Sequence, residues 1–173
     1  ELMALGAPAN LLLATQEAAA DEIKHAQSAL EIVSALGGET LEFGRFPTDQ
    51  VTLRMDRDEI IISMICEACL GETMGVCEAQ EMLEQVRYDQ GPNILVNHLQ
   101  MVVNDESRHA TLAWQTLKWL LEGDQPSQSE LEHRYTLILD STMVQLSKYF
   151  LHNSDQNDSS EGAFGLLSSK SRC

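Results

Sequence analysis

Two segments carry the residue types from which metal centres are built, in the same order: Asp21-Glu22-Ile23-Lys24-His25-Ala26 and Asp105-Glu106-Ser107-Arg108-His109-Ala110. Both read Asp-Glu-x-(Lys/Arg)-His-Ala, 84 residues apart. On a helix, residues i and i+3 share a face, so each Glu and its His reach the same point in space. Carboxylates and imidazoles buried on facing helices without partners are costly, and a pair of divalent ions is the simplest compensation. Imidazole plus carboxylate, with few thiolates, suits iron or manganese. A bare Glu-x-x-His is weak evidence. A third copy, Glu130-Leu131-Glu132-His133, lacks the preceding Asp, opens its helix, and reads as coincidence.

The elements that must position these residues read as helices throughout. The first is predicted from Pro8 or Asn10 to Leu36, started by Pro8 and stopped by Gly37-Gly38. Its inward face reads Leu11, Thr15, Ala18, Glu22, His25, Ala29, Ile32 and Leu36. A long polar linker follows to Arg57. The second helix is predicted from an Asp58 N-cap to Arg87, and its stretch from Ile60 to Val76, apolar on nearly every face, marks it as central and buried. A turn at Tyr88–Pro92 leads to a third helix, Pro92 to Glu122, with a face of Leu95, Leu99, Val102, Glu106, His109, Ala113, Leu117 and Leu120. A fourth helix, Ser129 to Leu151, presents Leu131, Tyr135, Ile138, Met143, Leu146 and Phe150. Residues 1–151 form one expected domain, and 152–173, rich in Ser, Asn and Asp, a disordered polar tail.

The paired motifs resemble the ferritin-like di-iron carboxylate superfamily, in which two helices of a four-helix bundle give Glu-x-x-His and the other two one Glu each. The fuller Asp-Glu-x-Arg-His form looks most like ribonucleotide-reductase small subunits and bacterial monooxygenases. The resemblance, over residues 8–122, implies Glu22, His25, Glu106 and His109 as metal ligands. It makes Asp21 and Asp105 acceptors for the free ring N–H of the opposite motif's His: Asp105 for His25, Asp21 for His109. The plainer alternative makes both aspartates solvated helix charges. Lys24 and Arg108 either neutralise the carboxylates or reach to solvent. For the single Glu of the second helix, Glu72 continues the stripe Ile61, Ile65, Cys69, Val76 and Ala79 and stands 34 residues before Glu106, close to the family's separation. Glu67 points elsewhere by roughly 140° and is expected in a supporting role beside the metals. The family's earlier Glu falls before residue 1, so the first bundle helix is expected to be missing or reduced to residues 1–6 of a longer chain. The expected architecture is thus an all-α, ferritin-like bundle lacking most of its first helix, with an extra C-terminal helix.

The implied function is a di-iron oxidoreductase using O2 or peroxide, with two iron ions (or Fe/Mn or Mn) and an electron-donor protein as partner. Alternatives are non-catalytic iron handling, or a degenerate bundle acting through protein contacts. Ala29 and Ala113 stand four residues after the two histidines, where a radical tyrosine is needed, which disfavours the reductase function. Trp114 and Trp119 read as core aromatics. A formal charge of -16 repels nucleic acid and anionic lipid. No run approaches 18–20 consecutive apolar residues, so no membrane span is expected. Cys66 and Cys69 read as buried helix cysteines in a reducing, cytoplasmic setting.

Overall fold

The computed structural model describes residues 1–45, 52–54, 56–122 and 126–156, and among these every regular element is helical. Helix α1 spans Ala9–Gly37; Pro8 precedes it in extended conformation, and Gly38 closes it in the left-handed region (φ 73°), its N–H on Ser34 O. Helix α2, Arg57–Ser63, runs without a break through a π-helical segment, Met64–Cys69, into α3, Leu70–Tyr88. Its N-cap is Asp56, two residues before the expected Asp58: the Asp56 carboxylate accepts from the amides of Asp58 and Glu59 at 3.0 and 3.1 Å. Helix α4 is Asn93–Glu122 and α5 is Gln128–Gln156. Five residues assigned to the polar tail, 152–156, therefore continue α5. Residues 157–173 lie outside the described residues.

The α3–α4 turn depends on a close approach. Gln90 takes the left-handed conformation (φ 54°), and Gly91 donates its N–H to Val86 O at 2.8 Å. A β-carbon on Gly91 would stand 2.7 Å from Val86 Cγ1, so only glycine fits.

Helix α4 is the central element. It packs antiparallel to α1 on one side and to α3 on the other; α5 lies against α2 and the π-helical segment. Two apolar layers form. One joins Ile60, Ile61, Ile65 and Cys69 to Ala113, Leu117 and Leu120. The other joins Ala79, Leu83 and Val86 to Leu99 and Val103. Along α4, the segment 105–109 falls between these layers, so the α4 motif has hydrophobic packing above and below.

The structure corrects several expectations about faces. The helix from Arg57 to Tyr88 is long and apolar enough, by length and composition, to cross a membrane, and only 22% of its most apolar window is buried. It is thus not the fully enclosed helix its composition implied: Ile60, Ile61, Ile65 and Cys69 face the core, while Glu67 and Gly71 face out. Leu36 is exposed at the end of α1, Tyr135 and Met143 are exposed on α5, and Trp114 is half exposed. Trp114 instead donates its indole N–H to Thr73 Oγ1 at 3.3 Å, and Trp119 lies under the Arg57 guanidinium. Of the helix cysteines, Cys69 is buried, Cys66 half-buried and Cys77 exposed.

Candidate metal centre

The two motifs meet because α1 and α4 run antiparallel with the motifs at the same height. This register brings His25 beside Asp105 and His109 beside Asp21. The two imidazole rings stand 6.1 Å apart, both buried. His25 Nε2 is 3.0 Å from Asp105 Oδ2, and His109 Nε2 is 3.5 Å from Asp21 Oδ2. Each ring therefore turns its other nitrogen inward. His25 Nδ1 lies 3.5 Å from Glu22 and 3.4 Å from Glu106; His109 Nδ1 lies 3.2 Å from Glu22 and 3.6 Å from Glu106. The two glutamates sit between the two rings, each within reach of both.

The aspartates are not solvated helix charges. Asp21 is buried, and Asp105 keeps only 16% of its side chain exposed. Arg108 bridges them, donating to Asp21 at 3.0 Å and to Asp105 in a shorter contact, while Lys24 donates to Asp21 at 2.8 Å. The Lys24 ammonium holds the Asp21 carboxyl well below the usual range; partial desolvation opposes this, and Arg108 and His109 reinforce it. Burial pushes Asp105 up, but the hydrogen bonds from His25 and Arg108 together outweigh it and leave its pKa lowered. Both aspartates are thus fixed as anions; Asp105 is hydrogen-bonded to His25 Nε2 at 3.0 Å, whereas at 3.5 Å from Asp21 the buried His109 Nε2 makes no hydrogen bond among the described residues.

The wide turn of the π-helical segment brings α3 into the site. Ile61, Ile65 and Cys69 are spaced by four, which on a regular helix drifts by about 80° over eight residues. The π-helical turn absorbs that drift, keeps all three on the core face, and sets Glu72 three residues further on that same side. Glu72 meets Glu106 and His109, the ligand atoms of all three lying within 4.8 Å of one another; Glu22, His25 and Glu106 form a second such group. Burial pushes the Glu72 carboxyl up to about 7, and its hydrogen bond to Glu106 and that group's negative charge add to the shift. The imidazoles of His109 and His25 pull the other way.

Glu67 does not join the centre. Its side chain is 65% exposed on the opposite flank, where Arg54 donates to it at 2.9 Å and Ser63 at 2.8 Å. Its place in the widened turn directs it outward, so the supporting role expected for it is withdrawn. The third Glu-x-x-His also stands apart: Glu130 accepts from the Ser127 amide and hydroxyl at the start of α5, and Glu132 and His133 are exposed.

The motif reading missed His98. It lies seven residues before Asp105, two turns along the same face of α4, and its Nδ1 meets Ser28 Oγ at 3.0 Å across the α1 interface. Burial lowers its pKa, and the nearby His25 adds to that. The spacing of seven was the available signal.

The donor set fits divalent metal ions. With Nε2–H directed at Asp105, His25 presents its Nδ1 lone pair to two carboxylate oxygens, and His109 Nδ1 faces the same two glutamates, an arrangement that a cation lying between them relieves. Ligand atoms about 2.1 Å from one ion stand roughly 3.0–3.4 Å apart at right or tetrahedral angles, close to the 3.4–3.6 Å N···O separations within each group. No protein-family model, curated protein or solved structure matches the chain.

Proposed function

We propose that the cluster is a two-metal carboxylate centre of ferritin-like type, and that the protein is a di-iron oxidoreductase acting with O2 or peroxide. One observation carries this reading: two buried imidazoles, each backed at Nε2 by an aspartate from the opposite helix, turn both Nδ1 atoms onto the same pair of glutamates. One ion would be held by Glu22, His25 and Glu106, the other by Glu72, Glu106 and His109, with Glu106 shared. Two iron ions held in this way supply the electrons that reduce an oxidant.

The chain's own residues set the conditions for that chemistry. Asp105 holds the His25 ring in the tautomer that frees Nδ1 and makes that nitrogen a better donor, while Asp21 faces His109 Nε2 from 3.5 Å. Arg108 and Lys24 offset part of the negative charge that Glu22, Glu72, Glu106 and the aspartates bring together. With its pKa raised to about 7, Glu72 exchanges its proton around neutral pH when no cation is near, and gives it up to bind one. The apolar layers on both sides limit water at the centre.

The test is metal content. The protein is loaded anaerobically with ferrous iron, desalted, and assayed for iron per chain by plasma mass spectrometry. About two irons per chain are expected, with most of the metal lost in the His25→Ala/His109→Ala double variant. A folded wild-type chain that retains no iron overturns the reading.

A further inference from the structure

Helix α5 keeps a stripe of large apolar side chains in water. Tyr135, Leu139 and Met143 follow one another at four-residue spacing and are 50%, 64% and 66% exposed. That spacing sets them on one side of the helix, and three residues further on the same side stands Leu146. Leu146 lines an open groove of about 360 Å³ whose other wall includes Leu70, Gly71, Met74 and Gly75 of α3. A β-carbon on either glycine would meet nothing within 4 Å among the described residues, so the groove has room that its own chain leaves unfilled. Apolar knobs on α5 and an apolar recess beside them thus share one face. A soluble chain rarely leaves so continuous an apolar surface without a partner.

Charge and size select the occupant. A formal charge of -16 makes two copies of the chain repel. Residues 134–151 depart from that balance: Arg134 and Lys148 against the single acid Asp140 give the stretch a formal charge of +1. The groove offers the complement, since Glu67 and Glu78 border it. A lipid surface suits this helix less well, because helices that lie on membranes are rich in Lys and Arg on their polar face. The face is about 27 Å long over residues 134–151 and two helices, about 20 Å, wide. That is large enough for the roughly 800 Å² that each partner of a stable dimer buries. We infer that two copies of this chain pair through this face, Leu139 and Met143 of each copy seating in the α3–α5 groove of the other. The contact is isologous, so the twofold axis makes it twice. It does not depend on the metal reading.

The experiment is sedimentation velocity on the full chain over a series of concentrations and two salt levels. A dimer is expected. Its association is expected to tighten at least tenfold between about 0.01 and 0.1 M salt, as the Debye length falls from about 30 to about 10 Å and the repulsion between acidic copies is screened. A contact held by ion pairs would loosen instead. Leu139→Gln/Met143→Gln alters two exposed positions and is expected to weaken dimerisation at least tenfold with far-UV circular dichroism unchanged. Gly71→Gln/Gly75→Gln fills the groove from α3 with better helix formers and is expected to do the same, so loss of fold in one pair leaves the other informative. A wild type that is monomeric at every concentration and salt level, or unchanged dimerisation in both folded variants, overturns the assignment. So does a monomeric wild type that binds zwitterionic vesicles and loses that binding in Leu139→Gln/Met143→Gln, which would give the face to lipid.

Discussion

At the scale of single residues, the aspartates show how much of the centre depends on groups that would never touch a metal. Asp105 accepts from His25 and is gripped by Arg108, so replacing it frees the ring to rotate and to change tautomer. Asp105→Asn is expected to weaken iron binding by about 10–100-fold with the fold retained, measured by competition with a calibrated chelator. Glu72 makes a prediction of opposite sign for the metal-free protein. Its folded pKa, raised to about 7 from 4.5, means that the fold favours its protonated form. Its favourable contribution is fully present below about pH 4.5 and is lost as pH rises through 7. Glu72→Gln in chelator-treated protein is therefore expected to raise the melting temperature at pH 8 and to leave it nearly unchanged at pH 4.5, while the variant loses iron. The juxtaposition of Glu22, His25, Glu106 and His109 was legible in the text because i and i+3 spacing, repeated on two apolar faces, leaves few other arrangements. The outward direction of Glu67 was legible too, from its five-residue offset to Glu72, but the local change of helical pitch was not, since no residue type announces it.

At the scale of elements, that change of pitch links the core to the centre. A π-helical turn accommodates one residue more than the α-helix it interrupts. Deleting Glu67, an exposed residue within the segment, is expected to restore α-helical winding and, because the wide turn is what absorbs the extra residue, to leave α3 facing as before. Glu72 then stays in the cluster, and iron is expected to remain at about two per chain while far-UV circular dichroism stays close to wild type. Helix ends were easier to read than helix faces. Pro8 and Gly38 bound α1 through their own backbone preferences, a local matter. Which side of α2 and α5 is covered depends on what packs there, so Tyr135 and Met143, suitable in type for a core, lie exposed. The turn before α4 is local again. Gly91→Ala forces a contact against Val86 and is expected to destabilise the fold by about 1–3 kcal/mol in urea denaturation, without altering iron per chain at saturation.

At the scale of the whole molecule, the chain is an all-helical assembly in which α4 touches both α1 and α3 and carries half of the repeated motif. The near-twofold relation between the motifs is incomplete. Arg108 reaches both aspartates whereas Lys24 reaches only its own, and Glu106 is mostly buried whereas Glu22 keeps 57% of its side chain in solvent. The group containing Glu22 thus has a wet rim, and the group containing Glu72 borders a mostly apolar pocket lined by Ala18, Ala68 and Ala113. Two ions seated in this way would share a bridging carboxylate yet differ in how readily water and competing ligands reach them. Iron release to excess chelator is expected to be biphasic in stopped-flow absorbance: a fast phase for the ion beside Glu22, then a slower one, with Glu22→Ala removing the fast amplitude. A repeat that looks symmetric in sequence would then act as a pair with an order of departure, in which the outer ion is exchangeable cargo and the inner one a resident.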